Sequence, residues 1–190
     1  MKLLVLDNYD SFTYNLVHMF RSMNIDHEVY RNDKISPEEA LNFDSIILSP
    51  GPGIPSEAGN MGKIISACAG KKPILGICLG HQAIAEYLGA KLNNMSSVYH
   101  GVKNKINILS NEEIFEGIPE EIEVGRYHSW EVVREGLPEN ISVTAEDENG
   151  TIMALSDASQ KLYGIQFHPE SVMTEYGGEM IQNFLKIAQS

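Results

Sequence analysis

Three short stretches carry residue types that could do chemistry together: Gly76-Ile77-Cys78-Leu79-Gly80, His168-Pro169-Glu170 and Ser49-Pro50-Gly51-Pro52-Gly53. The first has the spacing of a G-x-S-x-G nucleophile turn, with cysteine in place of serine. An apolar run leads into it and a helical pattern follows, so the chain must turn from strand into helix at Cys78. That turn strains the central residue, and side chains two positions to either side would clash, which is why glycines flank it. The start of the following helix directs partial positive charge at the sulfur and favours the thiolate, the nucleophilic form. A cysteine in an apolar run is ordinarily core packing. The paired glycines at a strand-to-helix junction turn the reading toward catalysis. Cys68, between Ala67 and Ala69 on a predicted helix, keeps the packing reading.

A thiolate nucleophile needs a base, and the base needs an orienting group. His168 and Glu170 can supply both at the end of the run Leu162–Phe167. In extended chain, residues i and i+2 project the same way. Pro169 cannot continue a helix and biases His168 to an extended conformation. His168 and Glu170 are therefore expected on one face, where the carboxylate fixes the imidazole tautomer. A metal site would need three or four ligands, and Cys78 is the one obvious third, so no metal is expected. The Ser49–Gly53 turn follows a predicted strand and belongs at the same sheet edge as Cys78. It could bring the backbone N–H of Gly51 beside that of Leu79 as an oxyanion hole, or it could be a rigid Pro-Gly loop. The residues alone leave that choice open.

These groups need a scaffold. Leu3–Leu6, Ser45–Leu48 and Ile74–Leu79 are continuous apolar runs that suit strands buried on both faces of a parallel sheet. Helices fit between them. Phe12, Leu16, Val17 and Phe20 recur at helical spacing after Asp10 and Ser11 as candidate caps. Ser36-Pro37-Glu38-Glu39 is a capping-box start. Met61–Ala69 is a weaker helix, Gln82–Leu88 stops at Gly89, and Met180, Ile181, Phe184, Leu185 and Ala188 share one face of a C-terminal helix. From about 102 to 133 the pattern becomes strand-rich, with Lys105–Leu109, Glu121–Val124 and Glu131–Val133. Ser142–Thr144, Ile152–Leu155 and Leu162–Phe167 follow. The expected fold is α/β: a mostly parallel central sheet flanked by helices, with a smaller antiparallel section, in a single domain spanning 1–190.

The bulk properties narrow the function. A formal net charge of −12 leaves no basic stripe to neutralise phosphates, so nucleic-acid binding is not expected. No segment reaches the roughly 18 apolar residues of a membrane helix, and the opening MKLLVLDNYD does not read as a signal peptide. With two cysteines there is no disulfide framework, and a cytoplasmic location is expected.

GICLGHQ (76–82), GIQFHPE (164–170) and SPGPG (49–53) resemble the class I, triad-type glutamine amidotransferases. DNYDSFTYNL (7–16), RYHS (126–129) and the HPESV beginning at His168 resemble, more narrowly, the small subunit of anthranilate synthase and the amidotransferase subunit of aminodeoxychorismate synthase. The resemblance runs from Leu3 to the C-terminal helix. It implies that Cys78 attacks the side-chain amide of L-glutamine to form a γ-glutamyl thioester, with His168 as acid and base and Glu170 orienting it. It implies an oxyanion hole from the Gly51 and Leu79 N–H groups. Substrate binding falls to Gly51, Pro52, Gly53, Gln82, Ser129 and Trp130, the last two through backbone. No cofactor is implied in this chain, whereas the partner synthase is implied to need magnesium.

Ammonia released in water becomes ammonium and loses its nucleophilicity. With the 190 residues absorbed by one glutaminase domain, a separate chorismate-using synthase subunit is expected. Docking is expected to order the oxyanion loop or the triad, leaving the isolated chain nearly inactive. Two departures from the resemblance stand out. His-Ser-Trp replaces the common His-Ser-Leu, and the lysine after His100-Gly101 is displaced by one to Lys103. The competing readings are the glutaminase subunit of GMP synthetase, a non-catalytic binding module of the same fold and a stand-alone cysteine hydrolase. GMP synthetase usually has Ser-Gly-Gly-Pro at the turn and lacks DNYDSFTYNL. Among the remaining residues, His81 is read as a satisfied structural histidine. Phe12 is read as helix core, His100 and His128 as loop residues, His128 with an indirect role open to it beside Ser129, and Tyr9 and Tyr14 as candidate interface aromatics.

Overall fold

The computed structural model describes residues 1–95, 99–110 and 112–190. The elements in chain order are β1 (Leu3–Asp7), α1 (Thr13–Ser22), β2 (His27–Arg31), α2 (Pro37–Ala40), β3 (Ser45–Leu48), α3 (Met61–Cys68), β4 (Ile74–Ile77), α4 (Leu79–Tyr87), β5 (Leu92–Asn94), β6 (Val102–Ile108), β7 (Glu121–Arg126), β8 (Trp130–Val132), β9 (Ser142–Asp147), β10 (Ile152–Asp157), β11 (Leu162–Ile165) and α5 (Gly177–Ile187). Among the described residues, nine strands form one sheet in the order β2-β1-β3-β4-β11-β10-β9-β6-β7, and β5 pairs with β8 in a small ribbon. From β2 to β11 the pairs are parallel, and from β11 to β7 they are antiparallel. The expected antiparallel section is thus a continuation of the same sheet.

Strand geometry explains the two-sided core. Successive residues of β1 point to opposite faces. Leu4 and Leu6 join Ile64, Ile65 and Cys68 of α3 and Ala83 and Ile84 of α4. Leu3 and Val5 join Leu16 and Phe20 of α1 and Met180, Ile181, Phe184 and Leu185 of α5. The apolar runs are continuous because both faces are covered. Cys68 is fully buried in this packing.

The local signals act as their chemistry requires. Ser36 Oγ accepts from Glu39 N while Glu39 Oε2 accepts from Ser36 N, a complete capping box. Gly89 ends α4 with φ +97°, a conformation that favours glycine. Three expectations need correction. The helix after Cys78 begins at Leu79 and not Gln82, because β4 ends at Ile77 and Cys78 is itself the turn. Phe12 precedes α1 and is half-buried beside the rings of Tyr127 and His168, so it is no helix-core residue. The strand carrying His168 stops at Ile165. Among the described residues, no helix is long and apolar enough to cross a membrane.

Candidate active site

Cys78 stands between β4 and α4 with φ 53° and ψ −100°, strained for a residue with a side chain. The glycines around it are demanded by backbone proximity. A Cβ on Gly76 would lie 2.3 Å from the carbonyl carbon and oxygen of Gly80, and one on Gly80 would lie 2.6 Å from both Cβ and O of Leu48. The thiol is 6% exposed, so it is reachable only through a narrow opening.

His168 and Glu170 meet as expected, by a different backbone route. Ser171 N donates to His168 O, so residues 168–171 form a turn and not an extended strand. The turn brings His168 Nδ1 within 2.6 Å of Glu170 Oε1. Two further contacts hold it. Thr174 Oγ1 donates to His168 O, and Gly177 of α5 sits so close that a Cβ there would be 2.0 Å from Pro169 O. Burial opposes a charge on His168, but the Cys78 sulfur and the Glu170 carboxylate outweigh it and push its pKa up to about 10. His168 Nε2 and Glu170 Oε2 have no protein partner among the described residues. The rings of Tyr127 and Phe12 stand edge-on to His168, at 4.9 and 5.1 Å between centroids.

The Ser49–Gly53 turn rests on β1. Asn8 N donates to Ser49 Oγ, Asn8 Nδ2 donates to Ser49 O, and Ser49 Oγ donates to Pro50 O. A Cβ on Gly51 would meet Asn8 Cβ at 2.6 Å and Leu79 Cδ2 at 2.7 Å, so Gly51 lies tightly against both. The turn, Cys78 and the 127–130 segment enclose a pocket of about 200 Å³ lined by Gly51, Pro52, Gly53, Cys78, Gln82, Tyr127, His128, Ser129 and Trp130. Every residue assigned to substrate binding from sequence is in that lining, and Leu79 is next to it through Gly51. The volume is below the usual range for drug-sized ligands and suits a small metabolite. A larger hollow between Lys71, Lys161 and Ser190 contains none of these residues, and another beside Asn8 and Asn32 shares Pro52 and Leu79 but not Cys78.

The structure adds contacts for residues that the sequence placed only loosely. His128 lies in a loop as expected, but a buried one: it is 4% exposed and donates from Nδ1 to Trp130 O at 2.8 Å. Gln82 Nε2 donates to the same carbonyl at 3.1 Å and to Gln166 Oε1 at 3.2 Å. His81 is fully buried with its ring against the Gly164 backbone, a structural place in the packing between α4 and β11. Tyr127 and His128 lie inside the RYHS motif, which was the signal available.

Two of these histidines make stability depend on pH. Burial lowers the pKa of His81 to about 3, and burial together with the Arg126 charge lowers that of His128 to about 4. The unfolded chain takes up a proton at each near pH ~6.5, while the folded chain does not. Stability therefore falls as pH drops below ~6.5, by about 2 kcal/mol per histidine at pH ~5. His168 does not offset this. Its raised pKa contributes stability that is complete below ~6.5 and is lost only as pH rises through about 10. Urea midpoints at pH 7, 6 and 5 should fall with a slope approaching two protons, and a flat series would refute the assignment.

Residues 4–188 match the family described as Glutamine amidotransferase class-I. The chain is 44% identical over 191 residues to anthranilate synthase component 2 of Pseudomonas aeruginosa, covering 97% of this chain and 94% of that one. It is 42% identical over 186 residues to the aminodeoxychorismate/anthranilate synthase component 2 of Bacillus subtilis, covering 97% and 95%. Among solved structures, a candidate GMP synthase component from Thermoplasma acidophilum superimposes with a TM-score of 0.89 at 31% identity, covering 100% of this chain and 94% of that one.

Proposed function

The chain belongs to the class-I glutamine amidotransferases, and from that premise we propose that it is the glutaminase subunit of a chorismate-using synthase, acting as one catalytic unit over its 190 residues. The reading is carried by Cys78 lining a metabolite-sized pocket, supported by the His168–Glu170 contact and by the influence of the Cys78 sulfur on His168. The relatives named for anthranilate and aminodeoxychorismate synthase support the pathway.

The chemistry follows from the residues. Glutamine lies in the pocket with its side-chain amide at Cys78 and its amino-acid end against the Ser129–Trp130 backbone and Gln82. The thiol proton passes to His168, whose raised proton affinity holds it, and the Sγ thiolate attacks the amide carbon. The N–H groups of Gly51 and Leu79 stabilise the oxyanion. His168 then protonates the leaving nitrogen, the C–N bond breaks, and ammonia departs. Water attacks the thioester carbon and gives its proton to His168. The C–S bond breaks, the sulfur regains the proton, and glutamate leaves. Glu170 holds the imidazole in orientation throughout.

Ammonia must reach a second active site before it is protonated, which calls for a docked partner. Tyr9, Tyr14, Val172 and Tyr176 are exposed within a few residues of Phe12, Glu170 and α5, and offer aromatic and apolar surface for it. A cytoplasmic location fits a biosynthetic role. An affinity pull-down with this chain from its own cell extract is expected to recover a chorismate-using synthase, and added synthase is expected to raise glutamate release. The likeness to the Thermoplasma protein favours GMP synthetase as the second reading. Recovery of a GMP-forming enzyme would replace the chorismate pathway, and recovery of no synthase would remove it.

A further inference from the structure

Among the described residues, the largest fully buried side chain is a charged one, Arg126, at the end of β7. It does not line the pocket. Its Nη1 donates to Asp147 Oδ2 at 2.6 Å, a pair with side chains 0% and 2% exposed. Asp147 Oδ1 is occupied by the N–H groups of Asn149 and Thr151, so the carboxylate is fixed from the far side. Arg126 Nη2 has no hydrogen-bond partner among the described residues, and the guanidinium carbon lies 3.7 Å from the centre of the Tyr99 ring. A buried ion pair of this kind is costly, and apolar replacements are often as stable. Stability alone therefore does not account for it.

The remaining donor leads to the pocket. Arg126 Nε donates to His128 Nε2 at 3.1 Å. A guanidinium can only donate, so Nε2 must accept and the imidazole proton must sit on Nδ1. That nitrogen is the one 2.8 Å from Trp130 O. Arg126 thus selects the single tautomer of His128 that can donate to the pocket wall, and Gln82 donates to the same oxygen. The neighbouring carbonyls are held as well, His128 O by Tyr99 N and Ser129 O by Met95 N. The Tyr99 ring stacks on His128 at 5.5 Å between centroids.

We propose that Arg126 is a positioning residue for substrate: through His128 it fixes the Trp130 carbonyl, and with it the Ser129–Trp130 backbone that receives the amino-acid end of glutamine. This rests on the reading of the pocket as the glutamine site. A purely structural role, tying β7 to β9, would make Arg126 matter to folding but not to substrate affinity.

Arg126→Lys separates the two. Lysine keeps a charge for Asp147, but one ammonium on a flexible stem cannot reproduce the fixed fork that reaches Asp147 and His128 together. With the chain in complex with its co-purified synthase, KM for glutamine in glutamate release is expected to rise about tenfold. The maximal rate should stay within about threefold, and ammonia-dependent synthesis should be unchanged. His128→Ala cuts the link while leaving the Arg126–Asp147 pair and is expected to raise KM similarly; because His128 itself lines the pocket, an unchanged KM there overturns the proposal even if Arg126→Lys does not fold. An unchanged KM in a folded variant overturns the proposal, as does a parallel fall of the maximal rate and the ammonia-dependent rate. A wild-type complex that makes product from ammonia but releases no glutamate from glutamine overturns the glutaminase reading itself, before any variant is compared.

Discussion

Cys78→Ser is expected to lower glutamine hydrolysis by about 10⁴-fold or more, while ammonia-dependent synthesis by the partner complex survives. The substitution changes one atom and keeps the size and strained backbone of the residue, so fold and docking are spared. The loss comes from how the site is poised. The Cys78 sulfur is among the groups that raise the proton affinity of His168. With a hydroxyl in its place, a far weaker acid must give up its proton at the moment of attack, and no other thiol lines the pocket. Measuring glutamate release and ammonia-driven product on the same preparation checks both halves. Retention of glutamine-dependent synthesis would identify the chain as a non-catalytic module, and loss of both activities would place Cys78 in docking.

Gly76→Ala should abolish the folded protein, with a loss of more than about 4 kcal/mol. The added methyl would stand 2.3 Å from two backbone atoms of Gly80 and 2.6 Å from His81 N. None of these atoms belongs to a flexible side chain. Relief would require unwinding the first turn of α4 or pulling β4 from between β3 and β11. Against a total stability of about 5–15 kcal/mol, either consumes most of the margin. Gly62→Ala is the internal control. It lies in α3 with nothing within 4 Å of the added Cβ, so it should be neutral or stabilising by up to ~1 kcal/mol. Urea unfolding of the two variants should separate them widely, and equal midpoints would show that the elbow tolerates side chains.

What could be read in advance was governed by burial. β1, β3 and β4 announced themselves as apolar runs because both faces of the sheet are covered. β2 did not, because it is an edge strand whose residues range from half-buried to exposed, and β5 lies in the small ribbon with the same exposure. The glycines around Cys78 were legible because close backbone demands them, whereas the Ser49–Gly53 turn could equally have been a rigid loop until its place in the pocket lining was seen. The His168–Glu170 contact was anticipated through extended geometry, yet a turn makes it; the spacing was informative and the backbone was not. Arg126 and Asp147 lie 21 positions apart. Their pairing depends on β7 and β9 flanking β6, which no local pattern encodes. His81 looks from its neighbours like any helix residue, and only the closeness of Gly164 shows how its ring is enclosed.

The position of β11 has a consequence for biosynthesis. It is the last strand in chain order among the described residues, yet it lies at the middle of the sheet, parallel to β4 on one side and antiparallel to β10 on the other. Until residues 162–165 emerge from the ribosome, the nascent chain holds two half-sheets with bare edges at β4 and β10, the kind of edge that invites mispairing with other chains. The strand that closes this gap leads directly to His168. On the proposed roles of Cys78 and His168, completing the sheet and arming the nucleophile would be one event, and an unfinished polypeptide would not squander glutamine.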